Sequence, residues 1–234
     1  MRFDDKSSAR DYVWQRLETE GLAAYPFPPR GRIPNFRDAK LAAAKLFEAP
    51  LLATAQCIKV NPDSPQRHVR AEALRRGIRV YVPTPRLAGG FMVLDPASIP
   101  AELAWQAAAR AAWPRFATPV ELKDLPPFDA IVTGCVAVTP AGKRAGKGAG
   151  YSDLEFAILR ELGHAPAAVA TTVHDVQVVE DFPIAPHDQP LSLIATPTRL
   201  IDIANPLPAP TGIDWQHLPK DAFDLMPILR EFAC

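Results

Sequence analysis

The stretch "DAIVTGCVAVTPAGKRAGKGAGYSDLEFAILRELG", residues 129–163, decides the fold. Its first ten residues are almost continuously apolar, which is typical of a parallel strand covered on both faces. Four glycines and three cations follow within residues 142–150, and apolar residues then recur at helical spacing up to Gly163. A glycine-rich link from the carboxyl end of a parallel strand to a helix N-terminus is where α/β sheets bind ligands.

The glycine-rich link has the chemistry of a phosphate site without matching a standard motif. Backbone N–H groups and the positive end of the helix suit phosphate oxygens, and Ser152 with Glu155 predicts a capping box. A Walker A loop needs four residues before its Gly-Lys pair, whereas only three follow Gly142, and Gly148 replaces the Ser or Thr. From the residues alone, a phosphate site and a solvated basic hairpin both stay open.

The rest of the chain predicts alternating helices and strands. Helices are predicted at 7–20, 36–48, 64–77, 100–113 and 152–162, and strands at 51–60, 78–83 and 129–138. Elements of these lengths in this order favour βαβ units and a layered α/β domain. We expect residues 1–196 to form this domain and residues 197–234 to form a C-terminal extension that packs on it or on a neighbouring subunit.

Composition limits the classes of partner. Lys and Arg number 26 and so do Asp and Glu, which argues against a general binder of nucleic acid or of an anionic membrane. The three cysteines, Cys57, Cys135 and Cys234, are scattered, so neither a disulfide framework nor a zinc site is indicated. Without a signal-like start or a stretch of about 20 apolar residues, the chain is predicted to be cytoplasmic.

Two segments resemble the 5-formyltetrahydrofolate cyclo-ligase family. In that family a Pro-Pro-hydrophobic-Asp strand leads into R-x-G-x-G-x-G-Y-Y-D, which is similar to "LPPFDAIVTGCVAVTPAGKRAGKGAGYSDLE" here. The matching residues are Arg144, Gly146, Lys147, Gly148, Gly150, Tyr151 and Asp153. The second segment, "FPIAPHDQPLSLIAT", resembles the family's P-x-x-x-H-D-x-P segment, with Asp188 as its acid.

The resemblance implies a three-layer α/β/α fold with a mostly parallel central sheet. It implies an enzyme that uses ATP and Mg²⁺ to convert a small molecule, 5-formyltetrahydrofolate, to 5,10-methenyltetrahydrofolate, as a monomer or homodimer. Arg144 and Lys147 are then the catalytic cations, and Asp153 and Asp188 the magnesium ligands. The nucleotide-binding set is Arg144, Gly146, Lys147, Gly148, Gly150, Tyr151 and Ser152.

Simpler roles for these residues stay open. Asp153 is also a favourable first-turn acid of a helix, and Asp188 suits a local Asx-type turn. Tyr151 either lines a pterin pocket or packs beneath the helix. His187 is predicted to be structural.

The chain also departs from the family pattern. Ser152-Asp153-Leu154 stands where the family has Tyr-Asp-Arg, which removes one cation. Only Asp63 stands where the family has a glutamate-rich turn that contacts folate. The basic first helix of the family is reduced here to Lys6, Arg10 and Arg16, which show no clean correspondence with the family's cations.

A proline-rich stretch with three arginines adds a second hypothesis. "PFPPRGRIPNFRDAK" carries Arg30, Arg32 and Arg37 and resembles a divergent branch of cyclo-ligase-like proteins, for which a link to thiamine metabolism has been proposed. The arginines either close over a phosphorylated substrate or belong to a stiff, solvated loop. The alternative function is therefore a non-ligase paralogue that binds a nucleotide or a phosphorylated metabolite.

Overall fold

The computed structural model describes residues 1–165, 167–218 and 220–233, so Cys234 lies outside the described residues. The helices are α1 (Lys6–Thr19), α2 (Ala39–Leu46), α3 (Pro50–Ala53), α4 (Arg67–Arg75), α5 (Ala104–Ala107), α6 (Trp113–Phe116), α7 (Tyr151–Glu161) and α8 (Ala222–Leu225). The strands are β1 (Ala23–Ala24), β2 (Asn35–Phe36), β3 (Cys57–Val60), β4 (Arg79–Pro83), β5 (Phe91–Leu94), β6 (Ala117–Val120), β7 (Ala130–Thr133), β8 (Ala137–Val138), β9 (Arg144–Ala145), β10 (Ala168–Thr172), β11 (Leu193–Ala195) and β12 (Leu200–Asp202). Short 3₁₀ turns connect several of them.

A mixed sheet forms the centre of the fold. Within the described residues its strand order is β12-β11-β10-β7-β3-β4-β5-β6. The five strands from β11 to β4 pair in parallel, and β12, β5 and β6 pair antiparallel at the two edges. Val60 lies opposite Val132, and Thr171 opposite Thr133, so the carboxyl ends of these strands meet at one edge of the sheet.

Helices cover both faces of the sheet, which confirms the predicted three-layer α/β/α fold. On one face, residues of α2, α4 and α5 pack with β3, β4 and β7 in one apolar cluster. On the other face, α7 packs with Ile131, Val169 and Ile194, and this cluster also takes in Met226 and Leu229 from the end of the chain. A third cluster packs α1 against β8 and β9.

Several predicted boundaries are wrong, and the predicted strand 129–138 divides into Ala130–Thr133 in the central sheet and Ala137–Val138 in a separate two-stranded sheet. The predicted strand 51–60 contains helix Pro50–Ala53 before strand Cys57–Val60. The predicted helix 36–48 begins only at Ala39, after the short strand Asn35–Phe36. The predicted helix 100–113 is a series of single turns, with a 3₁₀ turn at Ala101–Leu103, helix Ala104–Ala107 and a second 3₁₀ turn at Arg110–Ala112.

Candidate functional site

A cleft of about 980 Å³ opens at the edge where the parallel strands end. Its walls come from the segments that follow β3, β4 and β7, from the first turns of α1 and α7, and from the proline-rich stretch. Residues 187–188 and parts of 212–218 close it on the remaining side. The cleft therefore stands where ligands bind in open α/β sheets.

The glycine-rich link runs along this cleft and leads directly into α7. Gly148 has φ 103° and Gly150 has φ 69°, backbone conformations that residues with a side chain rarely adopt. Gly150 precedes the helix, and no side chain caps the first N–H groups of α7. The helix N-terminus consequently presents backbone donors and partial positive charge to the cleft.

The predicted capping box of Ser152 and Glu155 is wrong. The Ser152 hydroxyl accepts a hydrogen bond from Asn61 Nδ2 at 2.8 Å, and Glu155 Oε2 lies 2.5 Å from Lys59 Nζ. Lys59 also donates to Asn61 Oδ1 at 2.7 Å, and its side chain is almost completely buried. This network joins the end of β3 to the first turn of α7, so it fixes the cleft-facing end of the helix relative to the sheet.

Two cations of α1, Lys6 and Arg10, line the cleft, although the sequence showed no clean correspondence between α1 and the basic first helix of the family. Arg10 Nε donates to the carbonyl of Gly146 at 2.7 Å, and its guanidinium lies beside Gly148. Lys6 forms an ion pair with Asp188. Arg16 does not reach the cleft and pairs instead with Glu20 at 2.6 Å.

Arg144 is buried and contacts protein groups. Its guanidinium pairs with Asp153 and donates through Nε to the carbonyl of Gln189 at 3.2 Å. The backbone N–H of Gln189 donates to the same Asp153 oxygen at 2.9 Å. Arg144 therefore ties the first turn of α7 to the segment that carries Asp188.

The two predicted magnesium ligands, Asp153 and Asp188, both line the cleft. Each already accepts a backbone N–H, Asp153 from Gln189 and Asp188 from Ala185 at 2.6 Å. In the described part of the chain no three His, Cys, Asp or Glu side chains cluster in a way that could hold a metal ion. Mg²⁺ usually accepts one or two carboxylates and completes its shell with water and substrate phosphates, so this pair fits Mg²⁺ together with a phosphate-bearing ligand.

Lys147 projects from the middle of the glycine-rich link into the cleft and is exposed. Across the described chain, no carboxylate comes within ion-pair distance of its ammonium group. Tyr151 and Ser152 line the cleft next to it. The predicted nucleotide-binding residues are thus brought together, with Arg144 as their buried support.

Asp63, at the turn after β3, also lies in the cleft. Burial raises the pKa of its carboxyl group, and the positive charges of Lys147 and Arg70 offset part of that effect. A Cβ at Gly134 would lie 2.7 Å from the carboxylate, so a side chain at this position would displace Asp63. Arg70 is buried behind this turn, donates to the carbonyls of Asn61 and Asp63, and has its pKa lowered to about 9 by burial.

The proline-rich stretch contributes two of its three arginines. Arg30 and Arg32 line the cleft, whereas Arg37 does not. Arg30 pairs with Asp11 and lies over the Trp14 ring at 5.6 Å. Arg30 and Arg32 therefore border the cleft, and a role in closing over a phosphorylated substrate stays a prediction.

Sequence analysis missed two further cleft arginines, Arg86 and Arg110. Both lie on connections with no motif around them, and Arg86 has φ 57°, which is uncommon outside glycine. Arg86 follows the predicted strand 78–83, whereas Arg110 lies inside the predicted helix 100–113, where nothing in the sequence pointed to a ligand. His187 also lines the cleft, with its Nδ1 3.6 Å from Asp214 Oδ2.

Among the described residues, no helix combines the length and the apolar character that crossing a bilayer demands.

Comparison with known proteins agrees with this architecture. Over 232 residues the chain is 38% identical to a methenyltetrahydrofolate synthase domain-containing protein of Mus musculus, with 96% of this chain and 62% of that protein covered. The protein of the same name from Bos taurus is also 38% identical over 232 residues, with 96% and 61% covered. The chain thus spans about three fifths of the length of the curated relatives it matches.

A solved structure shows a similar fold. The NMR structure of the 5,10-methenyltetrahydrofolate synthetase from Aquifex aeolicus superimposes with a TM-score of 0.52 at 17% identity, covering 91% of this chain and 99% of that one. The sequence profile of the 5-formyltetrahydrofolate cyclo-ligase family matches residues 5–197. Since this profile spans most of the chain, the chain belongs to the 5-formyltetrahydrofolate cyclo-ligase family.

Proposed function

We propose that this chain is a cyclo-ligase-like enzyme that uses ATP and Mg²⁺ to convert 5-formyltetrahydrofolate to 5,10-methenyltetrahydrofolate. One observation carries the proposal. The uncapped N-terminus of α7 and the glycine-rich link face the same cleft as Lys147, Lys6 and Arg10. Membership of the cyclo-ligase family supports the choice of substrate.

In the proposed reaction the terminal phosphoryl group of ATP moves to the formyl oxygen, and ADP leaves. The N10 amine then attacks the activated carbon, loses its proton and displaces inorganic phosphate, which closes the ring. Phosphoryl transfer depends mostly on positioning and on neutralising negative charge. Lys147 and the N–H groups of α7 supply that neutralisation, and Arg10 holds the glycine-rich link in place through Gly146.

Asp153 and Asp188 would hold the magnesium ion, which when bound neutralises phosphate charge and orients the transferred group. In the structure these acids pair with Arg144 and Lys6. A polyphosphate brings negative charge that can take over contacts of Lys6, and this leaves Asp188 available to the metal. We therefore expect Mg²⁺ and nucleotide to bind together better than either binds alone. Arg144 acts as a positioning residue for Asp153 in this scheme.

The second candidate is a non-ligase paralogue that binds a nucleotide or a phosphorylated metabolite. The cleft arginines favour it, because Arg32, Arg86 and Arg110 form no ion pair within the described residues. Three uncompensated cations attract an anionic ligand. Asp63 favours the second candidate as well. Its side chain is one methylene shorter than the glutamate that contacts folate in the family pattern.

The deciding experiment incubates the purified chain with ATP, Mg²⁺ and 5-formyltetrahydrofolate while methenyl absorbance and ADP release are followed. Equal formation of both products, dependent on ATP and on Mg²⁺, supports the ligase. Saturable ATP binding in calorimetry, with turnover no greater than in an enzyme-free blank, refutes the ligase and supports the second candidate. Absence of ATP binding refutes the ligase and leaves the second candidate only as a binder of another nucleotide or of a phosphorylated metabolite.

A further inference from the structure

A second cavity, of about 310 Å³, lies among α2, α4 and α5 and shares no residue with the cleft. We call it the Trp105 groove. It is lined by Lys40, Ala43 and Ala44 of α2, by His68, Glu72 and Arg75 of α4, and by Trp105 of α5. The three α4 residues are spaced by four and three positions, so they share one face of that helix.

One side of the Trp105 groove is apolar and held in place. Ala43 is buried, and Trp105 keeps 39% of its surface exposed, which is unusual for so large a ring. Arg67 lies over the ring at 3.9 Å and donates to the carbonyl of Trp105 at 2.9 Å. The His68 ring lies 4.7 Å from the indole. These contacts fix the indole at the edge of the groove.

The other side of the groove carries excess positive charge. The one carboxylate of the groove, Glu72, pairs with Arg75 at 3.5 Å and with Arg76 at 2.8 Å. Lys40 has no ion-pair partner in the described chain. Burial lowers the pKa of His68, and the cations Arg67, Lys40, Arg75 and Arg70 lower it further. Because cations on both α2 and α4 lower this pKa, the electrostatic potential at His68 in the groove is positive.

We propose that the Trp105 groove binds a small organic anion with an aromatic or aliphatic body. The anionic group lies among Lys40, His68 and Arg75, and the apolar body lies against Ala43, Ala44 and Trp105. The volume is at the lower end of the range for small-molecule sites, which combine an apolar lining with a few polar groups in the same way. The site is independent of the cleft and of its reaction.

Phenyl phosphate is a suitable probe, followed by NMR through the indole N–H signal of Trp105 and the ring signals of His68. We expect saturable shifts of both and a rise in the pKa of His68, because an anion stabilises its charged form. Phenol tests the apolar body alone and inorganic phosphate the charge alone. Each is expected to bind at least tenfold more weakly than phenyl phosphate.

Variants separate this groove from the cleft. Lys40→Gln is expected to weaken phenyl phosphate about tenfold, as the loss of one charge-assisted contact would. Lys123→Gln, an exposed lysine paired with Glu121 at 2.8 Å, is the matched control and should change nothing. Lys147→Gln alters the cleft and should leave both signals unchanged. Unsaturable shifts, equal shifts with phenol, or normal binding by Lys40→Gln would overturn the proposal.

Discussion

Lys143 and Lys147 lie four residues apart in the glycine-rich segment. Substitution by Gln should lower ATP affinity at Lys147 and thermal stability at Lys143. Lys147 is exposed in the cleft and unpaired among the described residues, so Lys147→Gln removes no ion pair of the folded chain and only its electrostatic attraction to the Asp63 carboxylate. A charge-assisted hydrogen bond contributes about 1.5–3 kcal/mol, and solvent screening at this exposed position places Lys147 at the lower end. A loss of about 1.5 kcal/mol predicts about tenfold weaker ATP binding with little change in Tm.

Lys143 serves as the matched control because it lies outside the cleft. It pairs with Asp181 at 2.7 Å and donates to the carbonyl of Phe182 at 3.1 Å. Both partners are partly exposed, so Lys143→Gln is expected to cost up to about 1 kcal/mol of folding free energy and to lower Tm by about 2–4 °C. Its ATP affinity should not change. Calorimetry and thermal unfolding measure both quantities, and equal ATP affinities for the two variants would refute a phosphate role for Lys147.

Three further substitutions test the supports of the cleft. Gly148→Ala places a side chain on a residue with φ 103°, which costs about 1–3 kcal/mol in the present loop conformation. ATP affinity measured by calorimetry should therefore fall. Normal affinity would mean that ATP binds to a different loop conformation. Asp63→Asn should stabilise the fold at pH 7, because burial raises the pKa of Asp63 and penalises its charged form. This gain should vanish as pH falls below the ordinary value near 3.8, and a pH-independent gain in urea unfolding would contradict the assignment. Glu155→Gln leaves Lys59 buried without its counter-ion and should lower the free energy of unfolding, measured in urea, by about 3–5 kcal/mol. The double change Lys59→Met with Glu155→Leu should largely restore stability. Equal stability of the single and double variants would argue against the buried ion pair.

The central strand, the glycine-rich link and α7 could be predicted because their signals are local. Apolar residues run without interruption through β7, glycines follow, and helical spacing begins at Tyr151. The capping pattern failed for a physical reason. Glu155 at the third helical position of a capping box and Glu155 as the counter-ion of a buried lysine look identical in sequence, and Lys59 lies 96 residues earlier. Burial of an unpaired ammonium is far more costly than the loss of one helix cap, so the ion pair prevails.

The cations of the cleft were harder to predict because tertiary packing, and not the local sequence, brings them to the cleft. Lys6 and Arg10 lie one turn apart on α1, and nothing near them in sequence indicates a ligand. They reach the cleft because α1 packs against β8 and β9 through an apolar stripe that includes Val13 and Leu17. Arg16 lies on the same helix but reaches a local glutamate, Glu20, instead. Helical spacing predicted the stripe, whereas only the tertiary packing decides which polar residues beside it face the cleft.

The end of the chain contributes both to the cleft and to the fold. Gly212, Asp214 and Leu218 line the cleft, although the family profile ends at residue 197. Ile213 donates its N–H to Glu161 at 2.8 Å, at the far end of α7. Strand β12 extends the sheet beyond β11, and Met226 belongs to the core that covers α7. Removing residues after 197 would therefore expose one face of the helix whose N-terminus faces the cleft, and the division at residue 196 stays a prediction.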